Sequence, residues 1–190
     1  MANTCFNTIR IEGPAKDLES IKAHIDSVIR NEDNSEYPNG YGLFRLLLLL
    51  GYKADELMDT GCRDEFYEHP EIKDGILHLS TESAWCFQDE GWKLVKRKYP
   101  KNSIYYVAEE FGCDVFETND TDRKHFKTRY ALDWGDESGD GEVAYFDDTC
   151  SLIEYVHDQI DSGVGNWQEM KEALEGLNDG EDSFANLHTI

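Results

Sequence analysis

The forty residues from 77 to 116 constrain the fold of this chain more than any other stretch. Residues 76–85 read as a strand, and residues 88–99 as a helix with Trp92, Val95 and Tyr99 along one face. Asp89 and Glu90 open that helix and Lys93, Lys96, Arg97 and Lys98 lie toward its end, the polarity a helix dipole favours. Pro100 closes it. Residues 103–110 and 113–118 follow as two strands joined by a turn at Gly112.

Residues 4–12 alternate apolar Phe6, Ile9 and Ile11 with polar Asn7, Arg10 and Glu12, then stop at Gly13-Pro14, so they predict a strand. Residues 16–30 place Leu18, Ile21, Ile25, Val28 and Ile29 at helical spacing. A polar loop with Pro38-Asn39-Gly40 follows. Residues 42–50 are rich in leucine without β-branched neighbours and lean to helix, and residues 52–67 add one or two short helical turns. The whole segment 31–75 reads as an insertion. After a polar loop at 119–127, residues 128–134 and 142–146 predict a hairpin that extends the sheet. Two helices come next: 148–160, with Leu152, Ile153, Val156 and Ile160 inside, and 166–177, with Trp167, Met170, Leu174 and Leu177 inside. Asn166 and Glu169 form a capping-box pattern, and residues 178–190 read as a loose tail. The order predicts an α+β fold: a ferredoxin-like split β-α-β sandwich with a helical insertion and an acidic carboxy-terminal hairpin plus two helices. The expected domains are a core at 1–118, with its insertion at 31–75, and an acidic extension at 119–190 packed on that core.

With 190 residues, 39% apolar, and nine Phe, ten Tyr and four Trp, the chain can bury a core and is not a disordered acidic tail. Its one long apolar run, Leu46 to Leu50 after Leu43 and Phe44, falls well short of the roughly 20 residues of a membrane span. No basic amino-terminal region precedes an apolar run as in a secretory signal. Five cysteines (Cys5, Cys62, Cys86, Cys113, Cys150) are scattered without a Cys-x-x-Cys, which argues against a disulfide framework or a zinc knuckle. Cys5 and Cys113 fall in strand-like runs, where a free thiol acts as a small buried apolar group. The expectation is a soluble protein of a reducing cytoplasm, without a cofactor.

Charge narrows the function. Forty acids against 18 bases give −22, and residues 131–190 hold 16 of the acids with Lys171 as their single base. Such a field repels DNA, RNA and anionic membrane and attracts basic surfaces. Nucleic-acid binding through phosphates is the function it most firmly excludes.

Met1-x-Asn3-x-Cys5-x-Asn7-x-Ile9-x-Ile11-x-Gly13 resembles the opening of the YubB-type ferredoxin-like proteins of bacterial plasmids and phages. Leu79-Ser80-Thr81-Glu82-Ser83-Ala84-Trp85, Trp92, Tyr99-Pro100 and Ile104-x-Tyr106-x-x-Glu109-Glu110-x-Gly112 are similar to that family's central block. The resemblance spans residues 1–30 and 76–117, about half of the chain. It departs from the pattern after Ala84-Trp85, where Cys86-Phe87 stand in place of prolines. It implies a ferredoxin-like fold and a mobile-element origin, and no reaction or catalytic residue.

Asp136, Ser138 and Asp140 at positions one, three and five of a loop, with Gly141 at six, Glu142 at seven, Val143 at eight and Asp147 at twelve, follow a calcium-loop spacing. The alternative is an acidic hairpin turn whose Asp147 or Asp148 caps the next helix. Glu154, Asp158 and Asp161 share one helix face, and Glu169, Glu172 and Glu175 recur every three residues on the next helix. Such neighbours stand ~5–6 Å apart at Cβ, the same order as the ~3.4 Å phosphate spacing along one nucleic-acid strand. A basic cleft built for nucleic acid can therefore accept them, although a merely solubilising face has the same pattern. Glu109 and Glu110 fall on opposite strand faces and cannot pair as acid and base. His69, His78, His125 and His157 lack metal-ligand spacing. Lys93, Lys96, Arg97, Lys98 and Lys101 form a basic patch that reads as the counterpart of the acidic region, and Thr81, Trp85 and Trp92 read as core rather than pocket.

The functional expectation is a non-enzymatic phage or plasmid protein that binds a basic, nucleic-acid-processing host defence protein, as an anti-CRISPR or anti-restriction inhibitor would. Its contact residues would be Asp136, Glu137, Asp140, Glu142, Asp148, Glu154, Asp158, Asp161, Glu169, Glu172 and Glu175. The alternative is a regulatory protein that binds calcium or a small ligand through residues 136–147.

Overall fold

A computed structural model describes residues 3–30, 41–57, 63–135, 141–160, 162–178 and 184–190. The fold is α+β with antiparallel sheets, in two compact units, residues 1–120 and 121–190.

In the first unit, β1 (Thr4–Glu12) pairs antiparallel on one side with β4 (Ile76–Ala84) and on the other with β5 (Ser103–Glu110). Its even alternation puts Cys5, Asn7, Ile9 and Ile11 on one buried face, while Phe6 on the other face stays 54% exposed. Two three-residue strands, β2 (Asp64–Phe66) and β3 (Glu71–Lys73), pair with β4, and β6 (Val115–Thr118) pairs with β5, for an order β2-β4-β1-β5-β6. The helices α1 (Ala15–Arg30), α2 (Gly42–Leu49) and α4 (Asp89–Lys98) share one core with the buried face of β1 and β4. Ile9, Ile11, Ile21, Ile25, Leu46 and Leu77 are almost fully buried there, each worth ~1.5–3 kcal/mol of apolar transfer.

Within the segment expected as an insertion, the described residues contribute to this core. Leu43, Leu46 and Leu47 of α2 and Leu57 of α3 (Ala54–Leu57) are sealed in it, and β2 and β3 supply a sheet edge. Residues 64–66, expected among helical turns, are a strand because Asp64 and Phe66 both point inward against β4. Cys113 is only half-buried, in a 3₁₀ turn over Phe111–Cys113 rather than in a strand. The chain leaves that turn through Asp114 at φ +55°, a left-handed conformation that Asp tolerates.

At the end of β4, Trp85 has φ +73°, and the Cys86 N–H donates to the Ala84 carbonyl at 2.9 Å. That is a γ-turn of the rare positive-φ kind. Proline at 86 would lack the N–H that closes it.

The second unit is a separate three-stranded sheet, with β7 (Tyr130–Gly135) between β8 (Gly141–Phe146) and β9 (Phe184–Thr189). The hairpin therefore does not extend the first sheet. Nor do residues 184–189 form a tail: they register along β7 from Tyr130↔Thr189 to Gly135↔Phe184. Asn178 fastens the return, donating Nδ2–H to the Ala185 carbonyl (2.8 Å) and accepting the Ala185 N–H (2.7 Å). Against the sheet, α5 (Thr149–Gln159) and α6 (Trp167–Asn178) bury Leu152, Val156, Met170 and Leu174. Ile153, Ile160 and Leu177 are half-buried, and Trp167, expected inside, is 38% exposed beside Tyr130. Among the described residues, no helix is long and apolar enough to cross a membrane.

Candidate functional site

The acidic helices of the second unit are built in a way that leaves their carboxylates outward. Asp148 caps α5 by accepting the Ser151 N–H at 2.9 Å, a bond that holds its carboxyl below the usual range. With Leu152 and Val156 turned inward, Glu154 and Asp158 are exposed, one helical turn apart. Asn166 caps α6 through the N–H groups of Gln168 (3.0 Å) and Glu169 (3.1 Å). Glu169 reaches back to the Gly165 N–H at 2.8 Å, one residue earlier than a capping box would place it. Met170 and Leu174 face the core, leaving Glu169, Glu172 and Glu175 exposed, with Glu172 accepting from Gln168 Nε2 at 2.8 Å.

Among the described residues, no lysine or arginine forms an ion pair with Glu154, Asp158, Glu169, Glu172 or Glu175; His157 lies 4.0 Å from Asp158. The unit as a whole is less one-sided than residues 131–190 alone. Its 70 residues hold 17 acids and five bases, because Arg123, Lys124, Lys127 and Arg129 fall within it. Arg129 is itself buried, donating to the carbonyls of Phe126 and Thr128, and Arg123 donates to the Asp147 carbonyl.

Two expected contact residues, both exposed, also have structural duties. Asp148 is the α5 cap, and Glu142 accepts the Tyr155 hydroxyl, which in turn accepts Trp134 Nε1–H at 3.1 Å. That chain ties β8 to α5 and β7. Asp136, Glu137, Asp140 and Asp161 lie outside the described residues, as does Ser138, so three of the five expected calcium ligands are not among them. Of the remaining two, Glu142 is engaged as above and Asp147 Oδ1 accepts the Thr128 hydroxyl at 3.4 Å. Among the described residues, no group of three His, Cys, Asp or Glu side chains is placed to hold a metal.

The first unit has a different concentration of chemistry. On the buried face, Asn7 Nδ2 donates to Thr81 Oγ1 (3.1 Å) and Ser83 Oγ (2.9 Å), and Trp92 Nε1–H donates to Asp64 Oδ2 (2.8 Å). Asp64 is wholly buried, its Oδ1 has no hydrogen-bond partner among the described residues, and burial pushes its pKa up to about 7. Burial likewise pushes the Cys5 thiol up to about 12, which leaves it inert as a nucleophile. Thr81 and Trp92 are core, as expected, whereas Trp85 on its γ-turn is 49% exposed.

Trp92 also backs a groove beside α4 and β5, lined with Phe87, Lys93, Lys96 and Tyr106. The basic patch divides there. Lys93 is held by Asp89 (2.6 Å) and Glu90 (2.7 Å) of its own helix, and Lys98 lies over the Tyr52 ring at 4.9 Å. Phe87 and Tyr106 carry no groove signal in the sequence, since they come from a loop and a strand nearly 20 residues apart. The acidic helices, by contrast, were visible from spacing alone.

No family model, curated protein or solved structure matches the chain.

Proposed function

We propose that this is a non-enzymatic protein of phage or plasmid origin that binds a basic, nucleic-acid-binding host protein through the acidic helices of its second unit. The observation that carries the reading is the exposure of Glu154, Asp158, Glu169, Glu172 and Glu175 without a lysine or arginine partner among the described residues. Like charges at such spacing repel by a few tenths of a kcal/mol per pair. Retained on two neighbouring helices, they offer a positive surface an exposed set of anions. An inhibitor of a CRISPR effector or a restriction enzyme would use such a row in place of phosphates.

A ferredoxin-like reading of the first unit, and through it the YubB-type resemblance, is supported by the antiparallel order β5-β1-β4 with the β2 and β3 edge beyond, and by α1 and α4 as its two returning helices.

The test is capture from a bacterial lysate with wild-type protein and with the combined substitution Glu154→Lys, Asp158→Lys, Glu172→Lys. The wild type should retain nucleic-acid-binding proteins at low salt and release them at high salt, while the variant retains none of them. Equal capture by both proteins would refute the reading.

A further inference from the structure

We propose that β2 is an acid-latched flap: it lies closed on β4 while Asp64 carries its proton and opens, with the rest of the first unit still folded, when that proton is lost. The latch is a carboxyl shut inside the buried face of the sheet. Asp64, Ser83 and Cys5 form one cross-strand row and Phe66, Thr81 and Asn7 the next, and all six are buried. Trp92 Nε1–H donates to Asp64 Oδ2 at 2.8 Å, while Oδ1 has no hydrogen-bond partner among the described residues. A protonated carboxyl tolerates such a site, whereas a carboxylate there lacks both water and a counter-charge. Facing it from β4 are the hydroxyls of Thr81 and Ser83, with Glu82 turned to the opposite face of the sheet. From β1 come Asn7 and the Cys5 thiol, which burial pushes up to about 12, and from α4 the neutral Trp92 indole. Within β2 itself Glu65 adds a negative charge that raises Asp64 further, and it takes Arg45 of α2 for itself at 3.1 Å.

The motion that hydrates Asp64 with least disturbance is the departure of β2. The strand has three residues, lies at the edge of the sheet and pairs with β4 alone. On leaving, it uncovers one apolar side chain of its own, Phe66, which meets Trp92 edge-on at 6.4 Å. Its side-chain ties to α2, from Glu65 to the Gly42 N–H at 2.9 Å and to Arg45, are made by a carboxylate 40% exposed, for which water substitutes readily. β1, by contrast, is paired along both sides and cannot move without the core. Opening bares the edge of β4 from Thr81 to Ser83 and uncovers Trp92, so proton concentration sets the exposure of a strand edge and a large ring. The sign follows from Asp64: its pKa is about 7 closed and returns to the ordinary 3.8 once hydrated. The opening constant is therefore lowest below about pH 4, rises about tenfold per pH unit to about pH 7 and then levels off. The device stands whether or not the acidic helices bind a partner.

The test is hydrogen exchange of the full chain followed by NMR from about pH 5 to about pH 7, with rates corrected for the intrinsic pH dependence of exchange. Three N–H groups report on the flap: Tyr67, bonded to the Ser80 carbonyl at 3.2 Å, Ala84, bonded to the Arg63 carbonyl at 3.1 Å, and the Trp92 indole. The amides of β1 report on unfolding of the whole unit. The three reporters should be at least about tenfold less protected than β1, and their protection should fall about tenfold per pH unit. In Asp64→Asn it should not change with pH. The proposal falls if the three reporters exchange together with β1, if wild-type protection is constant across the interval, or if Asp64→Asn keeps the wild-type pH dependence. The wild-type profile alone decides the first two outcomes, whatever the stability of the variant.

Discussion

Asp64 is the residue whose chemistry most departs from its setting. Its folded pKa, about 7, lies above the ordinary 3.8, so the folded protein holds this proton more tightly than the unfolded chain. Below about pH 4 both states are protonated and Asp64 has no effect. As pH rises from there to about 7 the carboxyl ionises first in the unfolded chain, and folding stability falls by about 4 kcal/mol. Asp64→Asn keeps an oxygen for the Trp92 indole and removes the ionisation. Thermal unfolding of this variant should therefore show little advantage at pH 4 and a clear one at pH 8. A difference from wild type that does not change over that interval would contradict the assignment. A second residue-scale expectation concerns Gly13, where a β-carbon would stand 2.0 Å from Asn102 Oδ1. Asn102 is itself buried, and its side-chain amide has no hydrogen-bond partner among the described residues, so the pair is tightly coupled. Gly13→Ala should cost ~2–3 kcal/mol, and Asn102→Ala in the same chain should recover much of it. If denaturant unfolding shows the two changes simply adding, the contact is not what limits position 13. The sequence shows Gly13 as a strand stop and not as a close contact, and it gives no sign of Asp64. Asp64 stands beside Glu65 in a polar run that looks like surface, and only pairing with β4 turns it inward.

Among the elements, the long ones were legible. The strand at 4–12, the helix at 16–30 and the strand, helix and strand from 76 to 110 each repeat their apolar period over eight residues or more, long enough for pattern to win over noise. The misses are strands too short to show a period, or strands whose partner is distant. β2 and β3 have three residues each, and β9 finds its place only beside β7, about 50 residues earlier, with a buried His188 where alternation would call for an apolar side chain. The capping of α5 and α6 was foreseen in outline, and the side-chain geometry corrected it by one residue at Glu169. β9 yields a direct prediction. Asn178→Ala removes both bonds that fasten Ala185 and should cost ~1–2 kcal/mol. Hydrogen exchange should show the amides of residues 184–189 losing protection before the rest of the second unit; unchanged protection there would mean that β7 pairing alone holds the strand.

For the whole molecule, the division at residue 120 coincides with two separate apolar clusters, one around Ile9, Leu46 and Leu77 and one around Leu132, Leu152 and Met170. Residues 1–120 and 121–190, produced separately, should each unfold cooperatively by circular dichroism; failure of either to fold would show that its core is incomplete. The acidic bias of the second unit was plain in composition, yet its distribution was not: four bases at 123–129 belong to that unit, and Asp148 and Glu142 hold it together. What is left for a partner is the outer face of α5 and α6. The most direct measurement is a competition, in which a partner captured by the wild-type protein is challenged with duplex DNA and with RNA at constant ionic strength. The account predicts that the nucleic acid such a partner normally binds displaces the protein stoichiometrically. A ternary complex holding protein, partner and nucleic acid together would contradict it.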